Sequence, residues 1–341
     1  MPIGRGRTSG RLRLLQLLRD CHPSSSAGFQ FFVSDVFSLL RMLTHTEIPQ
    51  LLKRHHIVKG YRPLYQPVHY YYRSAFYSHN ELINVWTHLV PAVCLIVYYF
   101  IPEIVSPSPR LPVLVLYTGV ASLLVGSTLA HLLHSRSPHD HIFWFLIDFA
   151  GIALFGCSIG LQRYSCTVET TNIFTLAYLP SLLLIVLVLQ FLSACYLFVC
   201  RPDWPWRLEL RMATCLLLAV WVHVPLLGRY MAEDTSVDSS LYLHTNAFNW
   251  LLFSGIFMGA KVPERFAPGL FDIFGYGHQL FHLCIIMVAW NLCEAAHQDC
   301  NPSSWNSSGN LAISAAFLLS VAFTICTVKT LSEKARNIKY T

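Results

Sequence analysis

His278 and His282 stand four residues apart in GHQLFHLCIIMVAWNL, a stretch that is otherwise almost wholly apolar. On a helix this spacing puts both imidazoles on one face, about 6 Å apart along the axis. STLAHLLHS repeats the arrangement, with Ser127 four residues before His131. HIFWFLIDFAG encloses Asp148 between Leu146, Ile147, Phe149 and Ala150, and HNELINVWTHL supplies Glu81, Asn84 and His88. Imidazole nitrogen is a zinc ligand, and catalytic zinc sites commonly use three protein ligands and leave a fourth position open. His131, His278 and His282 are therefore the candidate metal set, with zinc preferred because calcium or magnesium would demand oxygen ligands. Asp148 and Ser127 are the candidate surrounding groups, catalytic if the site is hydrolytic.

Blander readings stand beside this one. A single His-x3-His arises by chance, and Asp148 could be the buried partner of a protonated histidine with no metal present. His88, His223 and His244 are expected to bond a neighbouring helix. Glu81 suits the positive end of a helix dipole, and Asn84 suits an interhelical hydrogen bond. His134, His139 and His141 are expected at the membrane edge, solvated.

The elements that must position these residues are membrane helices. Of 341 residues 54% are hydrophobic and 12% charged, against about 25% charged in a soluble domain; mean hydropathy is +0.46. Eight apolar runs, near 82–102, 112–133, 141–162, 173–199, 212–229, 243–261, 277–297 and 310–331, approach the roughly 20 residues a bilayer crossing needs. Loops rich in Pro, Gly and charge separate them. The fifth run, with Pro225, and the sixth, with His244, Asn246 and Asn249, are the weakest. The expected fold is an all-α membrane protein: a bundle of seven core transmembrane helices plus an eighth. The expected divisions are a basic N-terminal region (1–81), the multi-pass bundle (82–331) and a short basic tail (332–341). Within the first, LRLLQLLRD and the stretch 29–43 could lie on a membrane surface; a polar tail is the alternative for the former. The net charge of +6 is too spread out to indicate nucleic acid, and neither a signal peptide nor a CxxC motif is present.

Positive charge sets orientation. With the N-terminus in the cytoplasm, the outside loops hold only Arg110, Arg163 and Arg229; nearly every other Lys and Arg falls inside. That topology puts Glu81 to His88, His131, Asp148, His278 and His282 in one layer, the cytoplasmic half of the membrane. Cys166 and Cys300 then face an oxidising space and could be bridged. Asn306-Ser307-Ser308 becomes an external glycosylation sequon.

NELINVWTHL, STLAHLLHS, FLIDF and VPERFAPGLFDIFGYGHQLFH, in that order, resemble the progestin and adipoQ receptor family from about Gly60 to the end of the seventh run. GYRPLYQP and an eighth span look most like its membrane progestin receptor branch, alpha and beta forms. The resemblance implies a cytoplasmic N-terminus and a three-histidine zinc site on His131, His278 and His282, with Ser127 and Asp148 at the family's serine and aspartate. Phe149 stands where relatives often have Tyr. It further implies steroid binding at the plasma membrane, rapid signalling, and a role in oocyte maturation.

Two functions follow. One is a membrane receptor for a progestin or other lipid, signalling through its cytoplasmic loops to a partner such as a G protein. The other is a zinc-dependent, ceramidase-like hydrolase of lipid amides, in which Asp148 relays a proton. A transporter is a weaker third reading, because no broken-helix repeat supports it.

Overall fold

The computed structural model describes residues 42–167, 173–232, 238–300 and 307–337. The chain divides into two units, Met1–Met42 and Leu43–Thr341, and every element described belongs to the second. The surface segments proposed within 1–41 and the sequon residue Asn306 lie outside the described residues.

A two-stranded antiparallel hairpin, β1 (Leu43–Thr44) and β2 (Lys59–Tyr61), precedes a short helix α1 (Val68–Ser74). The long helices follow: α2 (Leu82–Ile104), α3 (Leu111–Leu133), α4 (Pro138–Thr167), α5 (residues 173–200), α6 (Arg207–Tyr230), α7 (Ser239–Ala260), α8 (Gly277–Asp299) and α9 (Ser307–Arg336). Seven of the eight are long and apolar enough to cross a membrane. The exception is α7, the sixth run of the sequence, whose 22 residues include His244, Asn246 and Asn249. It lies along α8. The architecture is an all-α membrane bundle.

Two helices widen locally. α2 passes into a π turn over Ile96–Phe100, five residues beyond Pro91, and α5 into a π stretch over Leu184–Leu192 beyond Pro180. Proline removes one backbone donor and crowds the preceding turn, and a π turn is one way the ladder absorbs that.

α3 and α4 form the closest pair in the bundle. Glycine makes this approach possible. A Cβ added to Gly119 would lie 2.0 Å from the Ser158 hydroxyl oxygen, and one on Gly151 would lie 2.6 Å from the Ser122 carbonyl. Small residues let membrane helices meet backbone to backbone. The consequence is positional: Ser127 and His131 on α3 are held against the face of α4 that carries Asp148.

Opposite ends of the bundle are fastened differently. A disulfide joins Cys166 at the end of α4 to Cys300 just past α8. Around it, Arg110 pairs with Glu103 at 2.6 Å and donates to the carbonyls of His297 and Cys300. Arg163 donates to the Val222 carbonyl and to His244 Nδ1; His244 Nε2 donates to Asp299 at 2.8 Å. Arg229 bonds Asp238 and Asp299. Arg110 and Arg229 thus pair with carboxylates at this end, and Arg163 ties α4 to Val222 and His244. His244 bonds α8, as expected. His223 does not reach across by its Nδ1, which donates to Ala219 on its own helix.

Candidate metal centre

At the other end the three predicted histidines converge. Ring nitrogens of His131, His278 and His282 all lie within 4.8 Å of one another. His131 and His282 are buried, at 0% and 1% exposure, and His278 is half-buried. Ring centroids are 4.7 to 5.1 Å apart. His131 Nε2 faces His278 Nε2 at 3.3 Å.

Two neighbours decide how the rings present their nitrogens. The Glu81 carboxylate is 2.8 Å from His131 Nδ1. A carboxylate can only accept, so Nδ1 carries the proton and Nε2 keeps its lone pair. Arg54 Nη2 also approaches Nδ1, at 3.4 Å; the shorter contact to an acceptor decides the tautomer. The Thr87 hydroxyl donates to the Asn84 carbonyl at 3.1 Å and sits 3.0 Å from His282 Nδ1. Its one proton is committed, so it accepts from Nδ1–H and leaves His282 Nε2 free. With the protons so placed, both rings present a lone pair on Nε2, each steered by a hydrogen bond to its other nitrogen.

These residues fit a zinc ion. Nitrogens sharing a tetrahedral zinc at about 2.0–2.1 Å lie roughly 3.3 Å apart, close to the separation of His131 and His278. No carboxylate belongs to the converging set, which disfavours calcium or magnesium.

Glu81 is more than a residue at a helix start. It is 1% exposed and makes no side-chain cap. It forms an ion pair with Arg54, through Arg54 Nε and through Nη2 at 3.0 Å, and accepts from Asn84 at 2.7 Å and from His134 at 3.5 Å. Burial pushes its pKa up, but Arg54 and the two imidazoles outweigh this and hold it well below the usual carboxylate range. Burial likewise opposes the charge of Arg54, and Glu81 reverses the sign, raising its pKa.

His134 and His141 correct an expectation. They are buried at 4% and 8%, not solvated, and their Nδ1 atoms are 3.1 Å apart beside Phe145. The α3–α4 turn is tight, with the chain folded back over it, so residues at the sequence edge of both helices lie inside. His139 is half-buried. His88 is a second correction. Neither ring nitrogen has a protein partner among the described residues; the ring instead stacks on His282 with centroids 3.8 Å apart.

Ser127 and Asp148 are both buried and lie near one another. Asp148 also lies in the field of His131. The pair adjoins the histidines without joining the converging set.

The segment before α2 closes the site, which pattern reading missed. Arg62 is 1% exposed and donates to the carbonyls of His131 and Leu132, both at 2.7 Å. It satisfies the carbonyl end of α3 at His131 itself. Burial lowers its pKa to about 10. The loop between α7 and α8 positions the other two histidines. Asp272 accepts from the backbone of Val58 and Lys59, Glu264 from Gly277, and Gln279 from Gly275. A Cβ on Gly277 would lie within 2.9 Å of the carbonyls of Val262 and Phe257. The PERFAPGLFDIFGYG stretch therefore sets the start of α8, one residue before His278.

The haemolysin-III-related family profile matches residues 76–293, a range that includes Glu81, the three histidines, Ser127 and Asp148. The chain belongs to that family. It is 29% identical over 342 residues to the membrane progestin receptor alpha of Sus scrofa, covering 95% of this chain and 94% of that one. It is 28% identical to the membrane progestin receptor beta of Mus musculus, over 74% of this chain and 75% of the relative. The figures are the same for the membrane progestin receptor alpha-B of Danio rerio. The resemblance read from the motifs is borne out, and the chain is a multi-pass membrane protein.

Proposed function

We propose that this protein is a membrane receptor for a steroid of the progestin class, built around a zinc ion held by His131, His278 and His282. The observation that carries the metal is the convergence of the three imidazoles, two of them with Nε2 freed by Glu81 and Thr87. The steroid reading is supported by the relatives, which are named membrane progestin receptors. A steroid is mainly apolar with a few polar groups, and sites for such ligands lie among helices with few convergent polar side chains. His88, buried and with no hydrogen-bond partner among the described residues, is a polar group of that kind.

The protein resides in the plasma membrane with its N-terminus in the cytoplasm. Basic residues gather at the histidine end, and the disulfide at the opposite end suits an oxidising exterior. Signal passes to a cytoplasmic partner, such as a G protein, through the loop between α7 and α8. That loop is hydrogen-bonded to the start of α8 and to β2. Saturable progestin binding by membranes expressing this chain, absent from control membranes, is the expected result. Equal binding in both would reject the reading.

One observation favours a second reading. Three histidines would leave a zinc ion one position for water, and Ser127 and Asp148 are buried beside them. A bound zinc generates a nucleophile from water at neutral pH. Asp148 would accept the water's proton and pass it to the leaving amine, with a lipid amide such as ceramide as the substrate. Release of sphingosine from ceramide by purified protein, lost in Asp148→Asn, would establish it; no release at full metal content would exclude it.

A further inference from the structure

Away from the histidines, a cavity of about 630 Å³ runs between α3, α4 and α9 on the outside of the bundle. Its floor is the close contact of α3 with α4 at Gly126, Ala150 and Gly151. Its rims are apolar and open: Val125 is 41% exposed and Ile325 62%. On the α9 rim it extends from Val321 to Arg336, about 22 Å at helical rise. That exceeds half of a ~30 Å hydrocarbon core by several ångströms, so one end lies at mid-bilayer and the other among the headgroups.

The polar end has a definite charge. Lys329, Glu333 and Arg336 share one face of α9 and line the cavity's end. Lys329 is exposed and has no ion-pair partner among the described residues. Arg336 donates from Nε only to the His139 imidazole, at 3.3 Å. Two cations face one carboxylate. A second copy of the chain, or another helix, would have to bury both cations against apolar rims. A lipid of one leaflet places a phosphate at their depth and a hydrocarbon chain along the glycine floor. Basic pockets between membrane helices at the cytoplasmic side bind anionic headgroups in this way.

We propose that this groove binds one anionic glycerophospholipid, with an acyl chain on the Gly126–Gly151 floor and the phosphate at Lys329 and Arg336. The site is separate from the metal centre and independent of the receptor reading.

The test is native mass spectrometry of the full chain released from nanodiscs of phosphatidylcholine alone or of phosphatidylcholine with phosphatidylserine. Wild type is expected to retain one phosphatidylserine in preference to phosphatidylcholine. Each net positive charge contributes about fivefold, and with Glu333 offsetting one of the two cations the expected preference is about fivefold. Lys329→Glu with Arg336→Glu should abolish the preference, and Val125→Trp should abolish retention of either lipid. Equal retention of the two lipids by wild type would overturn the proposal, even if a variant fails to fold. So would a phosphatidylserine preference that survives the charge reversal, or a lipid-free dimer as the wild-type species.

Discussion

Glu81 holds His131: its carboxylate lies 2.8 Å from the ring Nδ1, at the point where the segment preceding the bundle meets the three converging histidines. The same carboxylate pairs with Arg54 and accepts from Asn84, so one acidic side chain joins the pre-span segment, α2 and α3. Metal affinity should depend on it.

Glu81→Gln is expected to lower zinc affinity about ten- to a hundredfold, the usual loss when a ligand histidine is deprived of its carboxylate partner. It should also destabilise the protein, because Arg54 remains without its counter-charge. Competition against a chelator of known affinity measures the first effect and thermal unfolding of the metal-free protein the second. Unchanged affinity would mean that His131 is oriented by something else.

The disulfide closes a sequence separation of 134 residues between α4 and α8. Cys166→Ser with Cys300→Ser should cost about 2–5 kcal/mol, chiefly through the unfolded chain. Reductant should lower the melting temperature of wild type and leave the double variant unaffected. A melting temperature of wild type indifferent to reductant would count against the bridge.

Much of this architecture is legible in the sequence. All eight apolar runs became helices at their expected places, because a bilayer crossing imposes a length that local composition displays. His131, His278, His282, Ser127 and Asp148 were found because polar residues in apolar runs are conspicuous. Arg54 and Arg62 were not, since a basic residue in a basic, loop-like segment carries no such contrast; GYRPLYQP, which contains Arg62, entered only as part of the family resemblance. His134 and His141 were misread for a related reason. Their position at the ends of hydrophobic runs indicates the membrane edge, but not that the pre-span chain covers that edge.

Gly151→Ala should cost about 1–3 kcal/mol by overpacking, since its Cβ would meet backbone of α3 rather than a flexible side chain. Gly228→Ala, where a Cβ would meet nothing within 4 Å, is the control and should be neutral or slightly stabilising. Comparable melting temperatures for the two variants would show that α3 and α4 have slack between them.

Asp238 caps α7, and its hydrogen bonds from Arg229 are the main cause lowering its pKa to about 2, from an ordinary value near 4. A depressed folded-state pKa contributes stability that is present above the unfolded value. That contribution should fall away as pH drops from about 4 to about 2. Asp238→Asn should flatten the corresponding part of the melting-temperature profile. A slope identical to that of wild type would assign the acid sensitivity to another carboxylate.

The account stands on three imidazoles sharing one ion. Elemental analysis of purified wild type, His131→Ala, His278→Ala and His282→Ala, each checked for intact helical content, tests this directly. Wild type should carry zinc at about one ion per chain, and each single variant should lose it. Wild type without zinc, or folded variants that keep it, would contradict the central claim.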